Sequence, residues 1–145
     1  MGHRALSQVL HGTAAYQAGV LLRNEVLRRP LGLELTDEEL ERERSDYHLV
    51  CEENGELVGC LVLAPQGNGE IKMRQVAVSP HARGRGVGRA LTEFAEEFSR
   101  QRGFTRMTLH ARSTAVAFYE KLGYERTGDE FEEVTIPHWS MHKTL

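Results

Sequence analysis

Three glycines within five residues, at 84, 86 and 88, separate a strand-like run from a helix-like stripe. That junction limits what the chain can fold into. Val76 and Val78 alternate as in a half-buried strand, and Pro80, which cannot donate to a sheet ladder, ends it. Beyond the turn, Val87, Leu91, Phe94 and Phe98 recur at spacings of four, three and four, one face of an α-helix. The glycines let the backbone turn sharply and leave its N–H groups uncovered. The first N–H groups of a helix have no internal partner and lie at the positive end of its dipole. Such a place binds phosphate. Arg83, Arg85 and Arg89 add positive charge around the same point. A surface turn with solvated arginines would look the same from this stretch alone.

Spacing separates the phosphate loops that could be meant. A P-loop needs Lys and then Ser or Thr after its last glycine, whereas Gly88 is followed by Arg89 and Ala90. A dinucleotide fingerprint G-x-G-x-x-G fails as well: from Gly84 the sixth position is Arg89, and from Gly86 it is Leu91. What remains is R-G-R-G-V-G, residues 83–88, which contains Arg-x-x-Gly-x-Gly. A second motif follows after one more predicted strand: Ala115-Val116-Ala117-Phe118-Tyr119-Glu120-Lys121-Leu122-Gly123-Tyr124.

On these two motifs the chain resembles the GNAT acetyltransferase superfamily. Its central motif is Gln/Arg-x-x-Gly-x-Gly/Ala between a strand and a helix, and its second is Ala-x-x-Phe-Tyr-x-x-x-Gly-Phe/Tyr. The resemblance covers essentially the full length and is weakest over the first 40 residues. One position departs: Arg112 stands where the family often has Asn. The implied fold is α/β (α+β), a central mixed twisted sheet of six to seven strands with helices on both faces.

Read in order, His3–Leu10 is a short strand candidate. A helix from Thr13 to Arg29 follows, with Ala15, Gly19, Leu22 and Val26 on one face and Pro30 behind its end. Thr36-Asp37-Glu38-Glu39 fits a capping box opening an acidic helix that runs to about Arg44. Residues 47–53 and 56–64 form a hairpin around Asn54-Gly55. Its register sets Cys51 opposite Val58 and Leu49 opposite Cys60, so the two thiols share a face diagonally, too far apart for a disulfide. Along 70–79 the apolar residues change phase between Met73 and Val76, which predicts a bulge. The 86–102 helix leads into a strand over 104–111, and this crossover predicts parallel pairing. Ser113 or Thr114 would cap a helix through Ala115, Phe118 and Leu122. The tail reads as two strands around Pro137.

Composition excludes some function classes. The 145 residues suit one domain, 1–145, burying about two-thirds of the surface of the unfolded chain. The 18 basic and 21 acidic residues give a formal charge of −3, with no electrostatic footprint for nucleic acid or an anionic membrane. No apolar run approaches the ~20 residues of a membrane span, and the start lacks the apolar core of a signal peptide. A cytoplasmic protein is expected, with both cysteines reduced. The seven histidines are scattered without zinc-type spacing, so no metal is expected.

The resemblance implies acetyl-CoA (coenzyme A) as co-substrate. Its diphosphate would lie on the segment Arg83, Gly84, Arg85, Gly86, Val87, Gly88 and Arg89, and its pantetheine arm along Val76, Ala77 and Val78, with Arg112 nearby. The Val76 N–H would lie near the thioester oxygen, and Tyr119 would protonate the leaving sulfur. An unperturbed phenol, with a pKa of about 10, keeps the proton that an acid requires. Candidates for the base or for the acceptor site are His110 and His138, Arg23 and Glu25 on the first helix, and Glu132 and Glu133, which could attract a cationic amine. A water chain would serve equally as base. The leading reading is an N-acetyltransferase acting on a small-molecule amine by direct attack in a ternary complex, as a monomer or homodimer. A protein or peptide N-acetyltransferase and a non-catalytic acyl-CoA sensor are the alternatives.

Overall fold

The computed structural model describes residues 3–145; Met1 and Gly2, part of the expected 1–145 domain, lie outside the described residues. Seven strands form one mixed sheet in the order β1-β2-β3-β4-β5-β7-β6. They are β1 (Arg4–Val9), β2 (Tyr47–Glu53), β3 (Glu56–Gly67), β4 (Glu70–Val78), β5 (Arg106–Arg112), β6 (Glu125–Glu133) and β7 (Ile136–Thr144). Helices α1 (Ala14–Arg23) and α2 (Asp37–Arg42) precede β2; α3 (Val87–Gln101) crosses from β4 to β5; α4 (Val116–Lys121) precedes β6. All strand pairs are antiparallel except β4–β5, which the α3 crossover makes parallel.

Two apolar layers sandwich the sheet, as strands apolar on both faces require. On one side Val87, Leu91, Ala95 and Phe98 of α3 and Val116 and Tyr119 of α4 pack on Leu49, Leu61, Ile71, Met73, Met107 and Leu109. On the other, Leu22 packs with Val50, Cys60 and Ala77, joined by Val26 and Leu27. A side chain as fully buried as Leu91 contributes about 1.5–3 kcal/mol.

The hairpin register departs from the expectation drawn from Asn54-Gly55. Glu53 faces Glu56, but a bulge between Cys51 and Glu52 then sets Cys51 opposite Gly59 and Val50 opposite Cys60. One extra residue flips the faces. Cys51 therefore lies in the α3-side layer and Cys60 in the α1-side layer, both as free thiols. Burial pushes the Cys60 thiol up to about 12. The same bulge brings Gly59 under α3, where a Cβ would lie 2.7 Å from Leu91 Cδ1 and 2.8 Å from Val87 Cγ1.

Five further local expectations are corrected. The first helix buries Tyr16, Gly19, Val20, Leu22 and Arg23, and its α-form ends at Arg23 rather than Arg29. A π turn follows over Asn24–Arg28 and a 3₁₀ turn over Arg29–Leu31. Pro30, which has no N–H to continue the ladder, lies in that 3₁₀ turn, and the Asn24 side-chain carbonyl accepts from the Leu35 N–H at 2.7 Å. The capping box on Thr36 and Glu39 forms, but α2 stops at Arg42. Neither Ser113 nor Thr114 caps α4 through its side chain; Ser113 donates instead to Glu130 at 2.7 Å. The stripe buried by α4 runs through Val116 and Tyr119, leaving Phe118 exposed. Pro137 lies inside β7, opposite Glu132, and the turn is at Val134-Thr135, both at positive φ. Pro137 is tolerated there because β5 ends at Arg112 opposite His138, so one flank of Pro137 has no strand to receive an N–H.

Gly59→Ala should destabilise the protein by about 1–3 kcal/mol, since Leu91 and Val87 must shift to admit the methyl group. Urea unfolding measures it, and an unchanged midpoint with an unchanged slope would contradict the close approach of α3 to β3.

Candidate active site

The site begins where the sheet divides. Strands β4 and β5 pair only from Glu70–Arg106 to Met73–Leu109. Beyond that, β4 keeps β3 as its partner and β5 keeps β7, so the two inner edges face a gap. A bulge bends β4 away: Cys60 faces Ala77 and Val62 faces Arg74, leaving two residues, Gln75 and Val76, opposite Leu61. Gln75 takes a φ of 56°. This is the bulge expected from the change of phase between Met73 and Val76.

A cleft of about 440 Å³ opens at the gap. Its walls are β4 from Lys72 to Val76, β5 from Leu109 to Arg112, Ala115 just before α4 and Tyr119 within it, Leu27 and Arg28 of the π turn, and Glu133, Val134 and His138 of the last hairpin. A π turn widens the helix by one residue and re-aims its side chains, a feature frequent at functional sites. Here it turns Leu27 and Arg28 toward the sheet.

The glycine turn follows the end of β4, outside the residues that line the cleft. Gly84 and Gly86 have φ of 79° and 80°, and no side chain caps the α3 N-terminus. A Cβ at Gly88 would lie 3.4 Å from Phe118 Cζ, so the glycine lets α4 approach the start of α3. The three arginines differ in role. Arg85 donates to Glu53 at 2.7 Å, and Arg4 donates both to that carboxylate and to the Arg85 carbonyl, which fastens the turn to β1 and β2. Arg89 pairs with Glu93 at 3.3 Å along α3, while Arg83 is exposed.

Tyr119 is buried but reaches the cleft. Burial pushes its pKa up to about 12, with no charged or hydrogen-bonding neighbour contributing. Ala77 is buried in the α1-side layer, and Val78 is half-buried against the α3-side core. Arg112, at the end of β5, lines the cleft.

One part of the cleft is polar. His110 Nδ1 lies 3.0 Å from Glu133 Oε1, and His138 Nε2 lies 3.6 Å from Glu133 Oε2. His138 Nδ1 sits 2.7 Å from the Ile136 carbonyl, which can only accept, so Nδ1–H donates and Nε2 is turned to the carboxylate. Phe131 lies edge-on to His110 and stacked on His138, fixing both rings. Lys72 Nζ lies 3.3 Å from His110 Nδ1. That nitrogen can accept from Lys72 or donate to Glu133, so the proton has two resting places within one cluster. Burial would raise the Glu133 carboxyl, but the hydrogen bond from His110 and the charges of His110, His138 and Lys72 outweigh it and hold it below the usual carboxylate range. Burial lowers the Lys72 ammonium; Glu133 opposes the shift and Arg74 adds to it.

Of the candidates read from sequence, Tyr119, Val76, Arg112, His110, Glu133 and His138 come together at the cleft. Arg23, Glu25 and Glu132 do not line it, nor do Ala77, Val78 and the turn from Arg83 to Arg89. Arg23 is buried on Glu43, at 2.7 Å, with Tyr16 donating to the same carboxylate at 2.9 Å. Glu25 and Glu132 are exposed. Lys72, Arg74, Gln75, Leu27 and Arg28 join the site without having been singled out. The signal for Lys72 was its place between buried Ile71 and Met73, just before the phase change. The π turn has no signal in spacing.

Among the described residues, no group of three or more His, Cys, Asp or Glu is placed to hold a metal ion, and no helix is long and apolar enough to cross a membrane. The fold and the forked sheet define an acyltransferase-type α+β domain. Residues 24–145 match the family described as "Acetyltransferase (GNAT) domain", and the chain belongs to that family. A Lactobacillus plantarum protein classed as an N-acetyltransferase superposes with a TM-score of 0.84 at 30% identity, covering 97% of this chain and 99% of that one. An acyl-CoA N-acyltransferase from Pseudomonas aeruginosa shares the fold with a TM-score of 0.83 at 23% identity, covering 97% and 99%. YyaT of Bacillus subtilis, an uncharacterised protein, is 34% identical over 74 residues, 51% of this chain and 50% of YyaT. The chain thus spans about half of that relative's length.

Glu133 sets an acid-side prediction. A carboxyl whose folded pKa is depressed stabilises the fold above its unfolded pKa, and that share is lost as pH falls through the folded value. Its side chain is 44% exposed, so the share is under about 1 kcal/mol after solvent screening. Glu133→Gln should cost stability at pH 7 and cost less at pH 3, measured by urea unfolding. An equal loss at both pH values would contradict the ionised cluster.

Proposed function

We propose that the chain is an acetyl-CoA-dependent N-acetyltransferase, working in the cytoplasm as a monomer or homodimer. It transfers acetyl to the primary amine of a small molecule by direct attack in a ternary complex. The observation that carries this is the fork between β4 and β5. An uncapped helix N-terminus follows the strand β4 that forms one side of it, and a phenol and an imidazole–carboxylate cluster line its cleft.

The chain has groups that fit the coenzyme. Free amides from Gly84 to Arg89, with Arg83 beside them, suit a diphosphate. The open edge of β4 at Val76 and Val78 offers main-chain donors and acceptors to an extended amide arm, as a strand does in β-augmentation. Arg112 adds a cation on the opposite wall. When bound, the coenzyme supplies an acetyl group activated as a thioester.

The protein's own residues do the rest. The Val76 N–H, beyond the bulge, offers a fixed dipole for charge developing on the carbonyl oxygen. Tyr119 keeps its proton at every working pH, because burial places its pKa near 12, and it holds that proton for the departing thiolate. His110, backed by Glu133 and with His138 on the other carboxylate oxygen, receives the proton of the amine. The amine proton thus ends on His110 and the thiol takes its proton from Tyr119, so imidazolium and phenolate stand on opposite walls until a proton passes from one to the other through solvent before the next turnover.

Tyr119→Phe should lower kcat about 100-fold while the acetyl-CoA Kd changes less than about twofold. Thiol release with a panel of amines gives the first quantity and calorimetry the second. Unchanged turnover would reject the acid role, and acetyl-CoA binding with no thiol release for any amine would reject the enzyme in favour of a sensor.

A further inference from the structure

We infer that the acceptor amine carries a carboxylate of its own, and that Arg74 is the residue that selects it. This rests on the transferase reading for the meaning of the site, but the binding preference itself can be measured without turnover.

The cleft is short of negative charge. Glu133 is the one carboxylate among its lining residues, and its two oxygens face His110 and His138. Against it stand Arg28, Lys72, Arg74 and Arg112. A second ammonium on the acceptor would therefore meet cations and no free acid. Arg28 is paired with Glu39 at 3.2 Å, and Glu43 is taken up by Arg23 at 2.7 Å, so Lys72, Arg74 and Arg112 remain against that one carboxylate. Asp46 feels the charge of Arg74, yet among the described residues Arg74 makes no ion pair within 4.0 Å. Arg74 is exposed at the rim, on the flank of the bulge, and also borders the recess beside α2.

A guanidinium without a partner at a cleft mouth is matched by a planar carboxylate, which it can hold through two parallel hydrogen bonds. Lys72, two residues back on the same strand, lies between that position and the His110–Glu133 pair. The carboxylate is thereby held at the rim while the amine points inward to the cluster. Leu27 and exposed Val134 offer apolar contact for the body of the molecule. Amino-acid-like amines fit this arrangement, whereas polyamines and aminoglycosides do not.

The test is calorimetry on the full chain, with and without saturating coenzyme A, using three probes: N-acetyl-leucine, N-acetyl-leucinamide and spermidine. N-acetyl-leucine should bind at least about tenfold more tightly than its amide, and spermidine should give no heat. In Arg74→Gln, an exposed position where folding is not at risk, the preference for carboxylate over amide should fall below about threefold. Equal binding of acid and amide, tighter binding of spermidine, no binding of any probe, or a preference unchanged in Arg74→Gln would each overturn the assignment. Thiol release from acetyl-CoA with leucine is read separately. Carboxylate-selective binding with no release from leucine or from any amine of the panel would sink the transferase reading and leave the selectivity standing.

Discussion

Past Met73 the β4 ladder to β5 ends, and the main-chain groups that would have paired across that seam face a gap in the middle of the sheet. Backbone donors and acceptors away from water need partners. An open seam inside a sheet is therefore either wet or made to receive a strand-like ligand. The bulge at Gln75 makes the seam diverge, since two residues of β4 occupy the space of one on β3 and the strand bends. The glycine turn, the start of α3 and the wall of α4 take their positions from that divergence.

The bend is braced from the α1 side. Arg23 donates to Gln75 Oε1 at 3.3 Å and makes two hydrogen bonds to Glu43, at 2.7 and 3.1 Å, while Tyr16 donates to the same carboxylate. His48 Nε2 meets the Glu43 carbonyl at 3.0 Å. Burial and the hydrogen bond to Glu43 hold the Tyr16 phenol well above its ordinary range, so it remains a donor. A buried pair of this kind is weak evidence for added stability, but removing one partner leaves a stranded charge. Its geometric effect is clear. It ties the end of α2 and the last turn of α1 to the strand residue whose backbone sets the fork.

Much of this was legible in residue order, and the physical reasons differ from place to place. Helix α3 and the glycine turn were readable because periodicity and backbone freedom are local properties. The β4 bulge was readable for a similar reason: a switch from odd to even apolar positions has no other simple cause in a strand. The Cys51–Glu52 bulge was hidden because Val58, Cys60 and Val62 are apolar on one face and Leu57, Leu61 and Leu63 on the other, so a slip leaves no polar residue misplaced. The π turn leaves no mark in apolar spacing, and the contact of Asn24 with the Leu35 amide spans 11 residues. The last turn uses Val134 and Thr135 at positive φ, where Gly or Asn would have announced it. Within the site, the histidines stood out by chemistry and Tyr119 by its place in the second motif, but that His110 and His138 converge on Glu133 follows from β7 lying between β5 and β6, a topological fact.

The claim beneath all of this is that an extended ligand completes the sheet at the fork with its anionic end on the start of α3. Backbone amide NMR during a coenzyme A titration tests it most directly. The account predicts shifts at Val76, Val78 and Gly84–Arg89, with the amides of α2, Asp37–Arg42, unmoved. Shifts centred on α2, or none at the fork with coenzyme A bound, would contradict it.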